Sequence, residues 1–118
     1  MRPATFIDAR RLPYPFCPGC SHGRVLEALD QAMVAAGLEL ERTVIVTDIG
    51  CAGLSDQWFL CHALHRLHGR SMAYAEGLKL ADSALKVIVL MGDGRAGIGG
   101  HQLLNIAKPT IAGVVVLF

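Results

Sequence analysis

The run Lys86-Val87-Ile88-Val89-Leu90-Met91 is apolar at consecutive positions and stops on Gly92-Asp93-Gly94. A strand apolar on both faces has to be covered on both faces, as in a parallel sheet with helices on either side. A parallel sheet needs long crossovers between neighbouring strands, and the preceding sequence supplies them. Ser21 is placed to cap a helix running to about Ala36, with Val25, Leu26, Leu29, Met33 and Val34 in helical spacing and Gly37 as the stop. Thr43 to Thr47 (Thr-Val-Ile-Val-Thr) is a β-branched strand. Residues 48–57 form a loop containing Gly50 and Gly53, and Gln57 to Leu67 is assigned to a helix without a clean period. Ser71 is placed to cap a helix to about Ala81, with Ala75, Leu78 and Ala81 on its apolar face. After the apolar strand, a Gly-rich turn over Gly92–Gly100 leads into a helix from about His101 to Ala107, ended by Pro109. Ile111 to Phe118 is a third apolar strand. The fold class is therefore α/β, built on a parallel sheet.

Residues 1–16, with Pro3, Pro13 and Pro15, read as an extended N-terminal arm, which leaves 17–118 as the α/β portion. The final strand, Val114 to Phe118, has the character of a central strand covered on both sides. Ligands bind beyond the C-terminal ends of such strands, where complete domains rarely stop. The domain is thus expected to be incomplete, a natural edge strand being the alternative. Net charge is +1, which gives no electrostatic case for nucleic acid or an anionic membrane. No stretch approaches the ~20 apolar residues of a membrane span. Arg2, Arg10 and Arg11 have no apolar segment beside them, so no secretory signal is expected. Four irregularly spaced cysteines suit metal binding in a reducing cytoplasm better than a disulfide framework.

Four short motifs carry the chemistry. Cys17-Pro18-Gly19-Cys20 places two sulfurs where one metal centre can use both, the Pro-Gly favouring a tight turn. Alone, the pair is open between zinc, iron–sulfur and a redox dithiol. Cys51, in Asp48-Ile49-Gly50-Cys51 after a strand, adds a third thiolate. Cys61, between Leu60 and His62, reads as a small hydrophobe. His62, His65 and His68 would drift around one face of a helix, and with Cys17 and Cys20 they offer a weak zinc pattern, since helical zinc pairs are usually spaced by four. His68-Gly69-Arg70 just before a helix start combines cationic groups with free backbone N–H groups, a good anion site. His22 reads as a supporting or capping group and His101 as a helix-start residue. Gly92-Asp93-Gly94, at a strand's C-terminal end, lets backbone approach a phosphate while Asp93 can hold a hard cation such as Mg²⁺. A small zinc-binding structural module using Cys17, Cys20, Cys51 and either Cys61 or a histidine is the competing reading.

In this order the motifs resemble the beta subunit of 2-oxoacid:ferredoxin oxidoreductases, from about Pro15 to Phe118, the N-terminal part of that subunit. The resemblance implies a thiamine diphosphate-binding fold of the diphosphate-binding type. It implies that Cys17, Cys20 and Cys51 ligate a [4Fe–4S] cluster whose fourth cysteine falls later in the family. It carries cofactor contacts to Ile49, Gly50, Cys51 and Ala52, to His68, Gly69 and Arg70, and to Gly92, Asp93 and Gly94, with Asp93 as an Mg²⁺ ligand. The Asn-containing segment holding the second Mg²⁺ ligand would follow Phe118. Arg95 after Gly-Asp-Gly and Ser21 after the second cysteine depart from the usual pattern. The implied reaction is oxidative decarboxylation of a 2-oxoacid with coenzyme A, giving acyl-CoA, CO₂ and reduced ferredoxin. The thiamine-activating carboxylate comes from the family's alpha subunit, so no catalytic side chain is assigned here and the chain alone is expected to be inactive. A degenerate remnant that keeps the fold without the chemistry is a further alternative.

Overall fold

The computed structural model describes residues 1–106 and 113–118. In chain order the elements are α1 (His22–Ala35), β1 (Thr43–Thr47), β2 (His62–His65), α2 (Ser71–Ala81), β3 (Lys86–Met91), α3 (Asp93–Ile98), α4 (Gly100–Ile106) and β4 (Val114–Leu117). Short 3-10 turns occupy Ala9–Arg11, Leu40–Arg42 and Ala52–Trp58. The strands form one sheet in the order β2-β1-β3-β4, and every neighbouring pair is parallel. The α/β parallel architecture expected from the apolar strand is thus the one observed.

Side chains alternate along β1 and β3 and feed two cores. Val44, Val46, Val87, Val89 and Met91 meet Met72 and Ala75 of α2 on one face. Ile45, Ile88 and Leu90 meet Leu26 and Met33 of α1, with Phe6, Ile7, Phe59 and Cys61, on the other. Each fully buried aliphatic side chain contributes about 1.5–3 kcal/mol, so the doubly covered β3 anchors the sheet. The N-terminal segment shares in this packing. Phe6 is wholly buried, Ile7 forms an antiparallel bridge with Phe59, and Asp30 of α1 accepts bonds from the Phe6 N–H at 2.6 Å and the Thr5 hydroxyl at 2.7 Å.

Four local expectations are corrected. Residues 57–67 are not a helix: the 3-10 turn ends at Trp58, and His62–His65 form an edge strand paired with Val44–Thr47. A four-residue edge strand, largely exposed, has too little apolar periodicity to announce itself. The expected turn after Met91 is instead α3, starting at Asp93. It breaks at Gly99, where a Cβ would collide with the Gly69 carbonyl oxygen, and α4 starts at the next residue. Ser71 is the first helical residue rather than the cap. Arg70 holds the cap position, and the Ser71 hydroxyl is buried with no hydrogen-bond partner among the described residues. Ser21 does hold the N-cap of α1, but its side chain makes no capping bond. Ala107, Pro109 and Ile111 lie outside the described residues, and β4 begins at Val114.

Candidate functional site at the C-terminal edge of the sheet

All strands run in one direction, so their C-terminal ends share one edge, the side on which open α/β sheets bind ligands. The segments following β1, β2 and β3 begin at Asp48, Arg66 and Gly92. Asp48 joins the first two. Its side chain is wholly buried, and Oδ2 accepts the Gly69 N–H at 2.8 Å. Gly69 has φ +72°, a backbone that favours glycine. The close approach of Gly99 to the Gly69 carbonyl then ties this loop to the α3–α4 junction. Gly50 has φ +101°, and a Cβ at Gly53 would overlap the Asp48 carbonyl oxygen. The chain therefore doubles back tightly after β1.

Individual residues divide by exposure. Ile49, Cys51, His68, Asp93 and Gly94 are exposed, Gly50 and Arg70 half-buried, and Ala52, Gly69 and Gly92 buried. The edge thus combines positive-φ glycine backbone with an exposed carboxylate at Asp93, whose Oδ1 accepts the Gly94 N–H at 2.8 Å. A Cβ at Gly94 would meet nothing within 4 Å, so the space there is open.

Cys17 and Cys20 come to the same edge. The Cys20 N–H donates to the Cys17 carbonyl at 3.0 Å, Gly19 turns with φ +81°, and both thiols are exposed. Directly after, the His22 ring packs edge-on against Phe118 at 4.6 Å and against Phe16 at 5.1 Å. The Phe118 N–H donates to the Met91 carbonyl at 3.0 Å, so the start of α1 sits beside the end of β3. Among the described residues, no three or more His, Cys, Asp or Glu side chains are gathered at metal-binding distance. Cys61 belongs to the core, where burial pushes its thiol up to about 11. His62 and His65, three apart on a strand, lie on opposite faces, so the helical histidine face is not formed.

A polar group that sequence reasoning missed lies at the end of β1. The Thr47 hydroxyl donates to Asp56 Oδ2 at 3.0 Å and lies 3.0 Å from His65 Nδ1, which is 3.4 Å from the same carboxylate oxygen. The Thr47–His65 pairing across β1 and β2 creates it, and the helical assignment of His65 concealed it.

Residues 48–118 match the family model of thiamine pyrophosphate enzymes, C-terminal TPP-binding domain, and the chain belongs to that family. Within it, the chain resembles the beta subunits of 2-oxoacid:ferredoxin oxidoreductases, as its motif order implied. It is 41% identical over 107 residues to the 2-oxoglutarate synthase subunit KorB of Methanothermobacter marburgensis, covering 90% of this chain and 38% of that one. It is 43% identical over 90 residues to the 2-oxoacid:ferredoxin oxidoreductase subunit beta of Saccharolobus solfataricus, covering 73% of this chain and 30% of the relative. A solved structure of 2-oxoglutarate:ferredoxin oxidoreductase from Magnetococcus marinus, with 2-oxoglutarate, coenzyme A and succinyl-CoA bound, superposes with a TM-score of 0.87. The identity there is 30%, over 96% of this chain and 38% of that chain. The chain thus spans well under half the length of these relatives.

Proposed function

We propose that this chain provides the diphosphate-binding and part of the cluster-binding machinery of a 2-oxoacid:ferredoxin oxidoreductase. The observation that carries the reading is that the segments bearing Asp48–Ala52, His68–Arg70 and Gly92–Gly94 follow β1, β2 and β3 at one sheet edge, the first two joined by the Asp48–Gly69 bond. Positive-φ glycines expose backbone N–H groups for a diphosphate, and Arg70 adds a guanidinium and His68 an imidazole ring beside them. Asp93 would hold Mg²⁺ through its exposed carboxylate. Cys17, Cys20 and Cys51, all exposed thiols, would supply three soft ligands to a [4Fe–4S] cluster. Thiamine diphosphate, when bound, supplies the carbanion chemistry of decarboxylation. The loops named here would orient that cofactor, and the cluster, once held by the three cysteines, would supply one-electron transfer toward ferredoxin. An alpha subunit supplies the thiamine-activating carboxylate, the substrates are a 2-oxoacid and coenzyme A, and the setting is the cytoplasm.

The test is a calorimetric titration of thiamine diphosphate into the chain co-purified anaerobically with the alpha subunit of a relative, with and without Mg²⁺, beside metal analysis. The reading expects Mg²⁺-dependent binding that Asp93→Ala abolishes, and iron with acid-labile sulfide lost in Cys17→Ser. Zinc in place of iron, with no Mg²⁺-dependent binding, would overturn it.

A further inference from the structure

The segment bearing Ile49, Gly50 and Cys51 is closed off at its base. Thr47 is the last residue of β1 and Asp56 lies late in the following 3-10 turn. Thr47 is wholly buried and Asp56 nearly so. Their 3.0 Å hydrogen bond pins together the two ends of residues 48–55. A hydroxyl has one hydrogen to give. With that hydrogen on Asp56, Thr47 Oγ1 accepts from His65 Nδ1–H at 3.0 Å. The same ring nitrogen lies 3.4 Å from Asp56 Oδ2, so β2 is joined to the closure as well. The His65 ring also lies over Gly53, its Cε1 3.4 Å from where a Cβ there would stand. The three groups thus connect two strand ends and the turn, and neither Thr47 nor Asp56 is a residue expected to touch cofactor or metal.

We propose that Thr47, Asp56 and His65 form a clasp that sets the position of residues 48–55, making Thr47 and Asp56 positioning residues for the ligand-facing segment Ile49–Cys51. Its functional meaning rests on the thiamine diphosphate reading, but its mechanical content does not. Losing one charge-assisted hydrogen bond at a loop closure corresponds to about a tenfold rise in local opening. Valine is nearly isosteric with threonine and suits a strand, so Thr47→Val removes the hydroxyl while the core should keep its shape. Thr47→Ser keeps the hydroxyl.

Hydrogen exchange on the full chain, read by mass spectrometry, tests the clasp. Thr47→Val and Asp56→Asn should speed exchange in residues 48–55 by about tenfold, leaving α1 and α2 unchanged, and Thr47→Ser should retain protection. Unchanged exchange in 48–55 for Thr47→Val, or loss spread evenly over the whole chain, would overturn the clasp. If Asp56→Asn does not fold, the Thr47→Val and Thr47→Ser pair decides alone. Thiamine diphosphate titration in the complex with an alpha subunit then reads the positioning role: Thr47→Val should weaken binding by about tenfold or more, by analogy with supporting residues at metal sites. Local loosening with unchanged affinity would overturn that role. Failure of the unaltered complex to bind would count against the thiamine diphosphate reading and the positioning role resting on it, while the clasp itself stands or falls on exchange.

Discussion

Asp48→Ala should be among the more damaging single changes near the site. The carboxylate is wholly buried and accepts the Gly69 N–H at 2.8 Å. A hydrogen bond to a charged group contributes about 1.5–3 kcal/mol, and an N–H left buried without a partner costs about 1–3 kcal/mol. The two overlap, because the loop at Gly69 can swing its N–H partly toward water. The expected loss is therefore about 2–4 kcal/mol, a large share of the 5–15 kcal/mol that holds a typical domain together. Urea unfolding followed by circular dichroism measures the total, and hydrogen exchange at Gly69 reports the local part. Asp48→Asn keeps an acceptor of the same shape and should recover some of the loss. If Asp48→Ala costs less than about 0.5 kcal/mol, the level of an ordinary surface substitution, and exchange at Gly69 is unchanged, the idea that this bond joins the two loops is refuted.

Leu90→Ala, at a wholly buried position of β3, should cost about 2–5 kcal/mol in urea unfolding, the range for a truncated core leucine. A value under about 1 kcal/mol would mean that β3 is not covered on both faces. Cys17, Cys20 and Cys51 are exposed and Cys61 is buried, its thiol pushed up to about 11 by burial. Iodoacetamide at pH 8 should therefore label the first three well before Cys61, and equal labelling of all four by mass spectrometry would contradict that burial. The Arg10 guanidinium, hydrogen-bonded to Asp8, holds its carboxyl below the usual value of 3.8. A lowered carboxyl stabilises the fold above its unfolded value and loses that contribution as pH falls through the folded value. Arg10→Ala should therefore move the onset of acid unfolding to higher pH, and an unchanged acid midpoint would show that the pair contributes nothing.

The parallel α/β class was legible because burial on both faces leaves a direct mark: β3 is apolar at every position after Lys86, and β1 is β-branched throughout. Helices α1 and α2 were legible from period and flanking residues to within a residue or so. Strand β2 was not, since four largely exposed residues at a sheet edge carry no burial pattern, and three histidines at equal spacing imitated a helical face. The start of α3 was also missed, because Gly92, Gly94, Gly97, Gly99 and Gly100 read as a turn; Gly99 is pressed against the Gly69 carbonyl, whereas a Cβ at Gly94, Gly97 or Gly100 would meet open space. The glycine- and cysteine-bearing motifs were legible as local strings. Their mechanical support was not: Asp48 with Gly69, and Thr47 with Asp56 and His65, are long-range partners that no local spacing encodes.

The topology explains why motifs so distant in sequence converge. In a parallel sheet every strand ends at the same edge, so the segments after β1, β2 and β3 come together there without any specific attraction between them. Helix α1 also begins at that edge, as the His22–Phe118 packing indicates, and the chain then returns to the start of β1. Cys17 and Cys20, just before α1, are delivered to that end of the sheet by the same geometry. What the sequence has to specify is how closely these segments approach. Here that rests on few groups: glycine at 50, 53, 69 and 99 lets the backbones bend or meet, and Asp48 fastens the first loop to the second. Substitutions at those positions should therefore alter ligand binding more than changes of similar size on α2, even where the side chain replaced never touches a ligand.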